Sequence, residues 1–273
     1  MTSLEPSAAN TKIAPKILFF DTEIAKSIYA KFPPKGRPEF DSYHNIIKDW
    51  WLICAAWKWN HSDKVEIVSV LSDHKRFKKN PTDDFHVVKT LYDEISKADA
   101  LVGHNMEGFD WKKFYARVLY YDLPPLDKPK IIDTLRLAKS VAEFTSNSLD
   151  YITKYLKLPQ KAHNRGNAMW NDVVKYIIEG NMAAAMEVIR EVEVYCPPDV
   201  TACEALYYKL LPHVNNRYLV NMNVYSEGKI CCPKCGSTAL IKRGPKPSGV
   251  HSYQCKDCKG YCNSKTAIRV ELK

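Results

Sequence analysis

The sequence predicts an α/β layered domain built on a mixed five-stranded sheet flanked by helices, followed by a small cysteine-rich module. Three observations predict this. Short apolar runs give way to segments of helical spacing between residues 16 and 211, six of the nine cysteines fall between Cys231 and Cys262, and almost all the excess positive charge lies behind residue 228. Strands interleaved with helices form layered sheets, and clustered cysteines in a chain without a secretory leader point to metal rather than to disulfides.

The elements follow in order. Residues 1–15 are polar, with small residues and proline, and read as a flexible tail. Residues 16–23 (KILFFDTE) form a continuous apolar run ending in acids, the mark of a strand buried on both faces. Residues 31–48 hold three prolines and several charges and read as a loop with one helical turn. Residues 51–60 and 65–71 are two further strands, and the Asn60-His61-Ser62-Asp63 break between them is a hairpin signal. Residues 83–96 are amphipathic at helical spacing, 100–105 form a fourth strand, 109–121 a helix and 130–133 a fifth strand, with Asp133 placed to cap the helix that follows. From 146 to 211 the pattern is helical, interrupted at 161–167 and at Pro197-Pro198.

The composition sets broad limits. Hydrophobic residues make up 45% of the 273, as a globular chain requires. No run of about 18 apolar residues is present, so no membrane span is expected. The first ten residues lack the charged start and apolar stretch of a signal peptide, so the expected location is the cytoplasm. Of the net charge of +9, the segment 229–273 holds +8, from ten Lys or Arg against two acids. Concentrated positive charge suits a polyanion, because each phosphate neutralised releases counterions.

Three short acidic motifs carry the chemistry. Asp21 and Glu23 end the first strand two residues apart, so both side chains face one side of the sheet. Paired carboxylates repel unless a cation lies between them, and hard divalent ions prefer such oxygen donors. The second motif is Gly103-His104-Asn105-Met106-Glu107-Gly108-Phe109-Asp110, a strand end followed by an acid at a helix start. The third is Tyr195-Cys196-Pro197-Pro198-Asp199, a phenol four residues before an acid. Taken alone, Asn105 is either a turn cap or a substrate contact, His104 a loop residue or a ligand, and Asp133 a helix cap or a fifth metal ligand.

In this order and at this spacing, Asp21/Glu23, Asn105 with Phe109-Asp110, and Tyr195/Asp199 resemble the DEDD (DnaQ-like) 3′-5′ exonuclease superfamily, tyrosine subgroup. Asp133-Thr134-Leu135, Ser148-Leu149-Asp150 and the region of Trp170 add to the likeness, which covers roughly residues 16–215. The resemblance implies a ribonuclease H-like fold. It implies that Asp21, Glu23, Asp110 and Asp199 hold two Mg²⁺ or Mn²⁺ for phosphodiester hydrolysis, with Tyr195 orienting the attacking water. Glu23, Asn105 and Phe109 then lie where the 3′-terminal nucleotide approaches. The implied substrate is DNA, as a single strand or a 3′ end, with RNA as the alternative; a further alternative is a weak or inactive nucleic-acid-binding adaptor on the same fold. The two prolines depart from the family pattern. Proline inside a helix costs about 3 kcal/mol, so the sequence predicts a break, with Pro197 extended, a new helix from Pro198, and Tyr195 off the face that bears Asp199.

The cysteines define the last module, expected over 229–273 behind an exonuclease domain at 16–228. Cys232 and Cys235 are followed by nineteen residues and then Cys255 and Cys258. This CxxC…CxxC spacing points to one structural Zn²⁺ held by four thiolates. Cys231 could replace Cys232, and Cys262 could replace Cys258. The segment resembles the zinc ribbons of nucleic-acid enzymes. Lys242 and Arg243 are its candidate contacts to nucleic acid, and Tyr253 and Tyr261 either stack on bases or pack on the module's own core.

Overall fold

The computed structural model describes residues 16–30, 43–126, 129–160, 166–214, 237, 239–245, 251–257 and 259–263. Two compact units are present: Ile17–Leu210, and Met1–Lys16 together with Leu211–Lys273. The sequence expectations for 1–15 and 31–42 fall outside the described residues, as do those for Cys231, Cys232, Cys235 and Cys258.

The first unit is a layered α/β domain. Its strands are β1 (Ile17–Ile24), β2 (Ile28–Tyr29), β3 (Ile46–Lys48), β4 (Leu52–Trp59), β5 (Val65–Ser69), β6 (Ala100–Gly103) and β7 (Lys130–Asp133). Five of them form one sheet in the order β5-β4-β1-β6-β7, and β2 pairs with β3 separately. β1 lies at the centre, antiparallel to β4 and parallel to β6, and β6 is parallel to β7. The mixed five-stranded sheet expected from the sequence is therefore the one observed. Centrality explains the apolar run of β1: Leu18 and Phe19 are fully buried, because helices cover both faces of the sheet.

The helices are α1 (His74–Lys79), α2 (Phe85–Ile95), α3 (Asp110–Tyr120), α4 (Thr134–Val141), α5 (Leu149–Tyr155), α6 (Asn167–Ile178) and α7 (Met182–Leu210). Alternation along β4 shows which face each covers. Trp59 donates from Nε1 to Glu94 on α2 at 3.1 Å, whereas Lys58 pairs with Glu204 on α7 at 2.5 Å, so α2 and α7 lie on opposite faces. Asp21 and Glu23 pair across the strands with Ala56 and Cys54, which puts them on the α7 face. Among the described residues, no helix is long and apolar enough to cross a membrane.

Two differences from the sequence reading stand out. α1 was not expected, since Phe77 is its only buried residue and a single apolar position shows no period; Asp73 caps it by accepting from the Arg76 N–H at 3.1 Å. More consequential, the predicted break at Pro197-Pro198 does not occur. α7 is a single helix of 29 residues that contains both prolines.

In the second unit the described strands are β8 (Leu240–Pro245), β9 (His251–Cys255) and β10 (Tyr261–Asn263), an antiparallel sheet in the order β10-β9-β8. Cys255 is fully buried at the end of β9. Lys242 and Arg243 are exposed on β8, and Lys242 lies opposite Tyr253. Tyr261 is 56% exposed, so it does not pack into the core of its module.

Candidate active site

Asp21 and Glu23 are delivered by the C-terminal half of β1. Glu23 is buried and accepts from the indole Nε1 of Trp170, on α6, at 2.9 Å. Asp21 is half-buried, and the Cys196 thiol donates to its Oδ2 and to its backbone carbonyl, both at 3.7 Å. Ligand atoms of Asp21, Glu23 and Cys196 all lie within 4.8 Å of one another. Cys196 is joined to Cys54 on β4 by a thiol–thiol hydrogen bond. That bond, then burial, pushes the Cys196 thiol well above its ordinary range, and burial raises Cys54.

Asp110 opens α3 and is buried. Its Oδ1 accepts from the Thr22 hydroxyl at 2.7 Å and from the Thr22 N–H at 3.3 Å. Burial pushes the Asp110 carboxyl up to about 6; the Thr22 bonds pull it down, and the charge of Asp133 adds to the rise. A carboxylate kept out of water in this way lacks a counter-charge, which a divalent cation supplies. Asp199, buried on α7, shares a cavity of about 340 Å³ with Asp21, His104 and Asn105. The donor set of this region is four carboxylates, three of them buried, and hard oxygen donors of this kind fit Mg²⁺ or Mn²⁺.

The turn after β6 is braced by Asp133. Its carboxylate accepts from the N–H groups of Asn105 at 2.9 Å, Leu135 at 2.9 Å and Glu107 at 3.2 Å. Asp133 is thus the expected cap of α4, and it also holds the second acidic motif in place. Asn105 has a positive φ of 61°, and its carbonyl accepts from Gly108 and Phe109, so its backbone makes the turn while its side chain stays exposed. Gly103 is closely packed: a Cβ there would stand 2.3 Å from Cε of Met106, the free end of a flexible side chain, and 3.3 Å from the Phe20 carbonyl, so both would have to give. His104 bridges Thr134 and the Asn147 carbonyl, each at 2.9 Å, and so anchors the loop to α4 and the approach to α5. Phe109 precedes α3 and is 38% exposed.

Because α7 is unbroken, Tyr195 and Asp199 stand four residues apart on one face, contrary to the predicted separation. Tyr195 meets Trp170 edge to face at 5.6 Å, and Trp170 in turn holds Glu23. Three supporting residues were missed by the motif reading: Thr22, which sits between the two acids of the first motif, Cys196, and the indole of Trp170 as the partner of Glu23.

Residues 54–211 match the family model of the RNase H superfamily (RNase_H_2), which is more than half of the chain. The chain belongs to the RNase H superfamily. Among solved structures it is similar to the family B DNA polymerase from the hyperthermophilic archaeon Pyrobaculum calidifontis, with 17% identity, a TM-score of 0.48, 77% of this chain covered and 25% of that one. The chain thus spans about a quarter of that polymerase. No curated protein matches.

Proposed function

We propose that the chain is a divalent-metal-dependent 3′-5′ exonuclease that hydrolyses the terminal phosphodiester of DNA, a single strand or a 3′ end, to nucleoside monophosphates. The observation that carries this reading is the cavity that Asp21 shares with Asp199 in an RNase H superfamily chain, with a Glu23 ligand atom within 4.8 Å of one on Asp21 and the buried Asp110 bonded to Thr22, the residue between those two acids. Membership supports phosphodiester hydrolysis; the order and spacing of the three motifs support the exonuclease polarity. Asp21, Glu23, Asp110 and Asp199 would hold two Mg²⁺ or Mn²⁺. When bound, these ions lower the pKa of the attacking water and neutralise the developing phosphorane charge.

The protein's own groups do the rest. Trp170 fixes the Glu23 carboxylate, and Thr22 fixes that of Asp110, so neither has to reorganise as charge develops. Tyr195 orients the attacking water through its phenol. Asn105 and Phe109, exposed at the turn, meet the 3′-terminal nucleotide. The continuous α7, with Tyr195 and Asp199 on one face, supports the enzyme over the adaptor. Cys232, Cys235, Cys255 and Cys258 would hold one structural Zn²⁺, with Lys242 and Arg243 contacting the strand; the buried Cys255 and the three-stranded sheet support this part.

The test is a time course with 5′-labelled single-stranded DNA, and separately RNA, in Mn²⁺. A ladder shortening one nucleotide at a time, absent in Asp21→Ala, is the expected outcome, with the faster ladder naming the substrate. A strand that stays intact but shifts on a native gel with both proteins would replace the enzyme with a binding protein.

A further inference from the structure

The Ile17–Leu210 unit carries a second cavity that none of the acidic motifs uses. Its volume is about 530 Å³, and it shares no lining residue with the carboxylate cavity. It opens between the stretch leading into β4, the region from α1 to the start of α2, and the end of α3. This size suits a small-molecule unit, since ligand pockets run from about 300 to 1,000 Å³.

Its walls are cationic and aromatic together. The Arg117 guanidinium lies 4.2 Å from the centre of the Tyr120 ring and 5.8 Å from that of Trp50. Tyr120 is 67% exposed, which leaves ring surface open for stacking. Lys48 is exposed and makes no ion pair among the described residues. The acids of the wall are already engaged: Asp83 pairs with Arg76 at 3.0 Å and accepts from the Phe85 N–H, and Asp49 accepts from the Trp50 N–H and the Ser27 hydroxyl. Asp84, fully buried, holds Arg117 and Tyr121.

A stackable ring and a negative charge occur together in a nucleotide, and the exposed Tyr120 ring and the Lys48 ammonium offer a partner to each.

We propose that this cavity binds one nucleotide unit, base and phosphate, away from the scissile bond. The base stacks on Tyr120, and the phosphate faces Lys48. This rests on the nuclease reading for its biological sense, since a strand held here is tethered to the unit that would cleave it. The unit could belong to the strand or be a free mononucleotide.

Fluorescence anisotropy on the full chain, with Ca²⁺ as the divalent ion, separates these. The probes are a labelled twelve-residue oligothymidylate, a labelled trinucleotide, and dAMP as competitor. The variants are Tyr120→Ala, Tyr120→Phe and Lys48→Ala, at exposed positions, each checked for folding by circular dichroism. Tyr120→Ala should raise the Kd of the twelve-mer roughly tenfold, as loss of one base stack does, while Tyr120→Phe keeps it near wild type. Competition by dAMP that disappears in Tyr120→Ala would assign a free mononucleotide; no competition, with the length dependence lost in the variant, would assign the strand. Folded Tyr120→Ala and Lys48→Ala proteins with wild-type affinity for every probe would overturn the proposal. Failure of the nuclease reading has a different signature, a wild-type chain that never cleaves but whose affinity still depends on Tyr120.

Discussion

At the scale of single residues, the site depends as much on what holds the carboxylates as on the carboxylates themselves. The Glu23 carboxylate has the indole of Trp170 at 2.9 Å, and Asp110 has both donors of Thr22. A donor behind a metal ligand sets its orientation and basicity, and removing one costs about 10–100-fold in metal affinity or activity. Trp170→Phe keeps the ring packed against Tyr195 and deletes only the N–H. It should therefore raise the Mn²⁺ concentration for half-maximal activity by about 10–100-fold, with little change in thermal midpoint. An unchanged metal titration would show that Glu23 does not depend on this bond.

At the scale of elements, α7 decides the geometry. Pro197 and Pro198 have no N–H, so the carbonyls of Glu193 and Val194 lose their helical donors. Val194 is 73% exposed, so this turn of the helix faces solvent. Against a cost of about 3 kcal/mol per proline stands the face that the helix buries beyond them: Val200, Cys203, Leu206, Tyr207 and Leu210. Each large apolar side chain buried contributes about 1.5–3 kcal/mol, so packing outweighs two prolines. Pro197→Ala and Pro198→Ala should each stabilise the protein by up to about 3 kcal/mol, read as a higher urea midpoint. No shift would mean that the surrounding helices have already relaxed the strain. The same continuity places Tyr195 beside Asp199, so a gain in rate is not expected from these substitutions.

At the scale of the whole molecule, charge and chemistry are divided along the chain. The acidic cluster belongs to the Ile17–Leu210 unit, while +8 of the net +9 belongs to residues 229–273. A module of this size buries little core, so the proposed zinc would supply much of its folding free energy. The purified protein should carry one tightly bound zinc per chain that survives exchange into Mg²⁺, measured by elemental mass spectrometry. Cys255→Ser should lose it and lose amide protection in β8 and β9, while the first unit stays folded. A zinc-free wild-type protein with those strands protected would remove the metal from the account.

The sequence by itself determined the five-stranded sheet, the placing of Asp21 and Glu23 on one face and the helix cap at Asp133. Each rests on local information: a period of two or 3.6, or a short fixed spacing. Even the continuity of α7 left a trace, since Val192, Cys196, Val200, Cys203, Tyr207 and Leu210 keep one apolar face in phase across the prolines. The strong local penalty of proline pointed the other way. Tertiary structure alone decided that contest, and it alone joined Trp170 to Glu23 across 147 positions, Asp110 to Thr22 across 88 and Cys196 to Asp21 across 175. The second cavity, too, arises where three separate stretches of chain meet. Contacts between distant segments leave no periodic signal, because they are set by how the layers pack and not by any residue's neighbours in the chain.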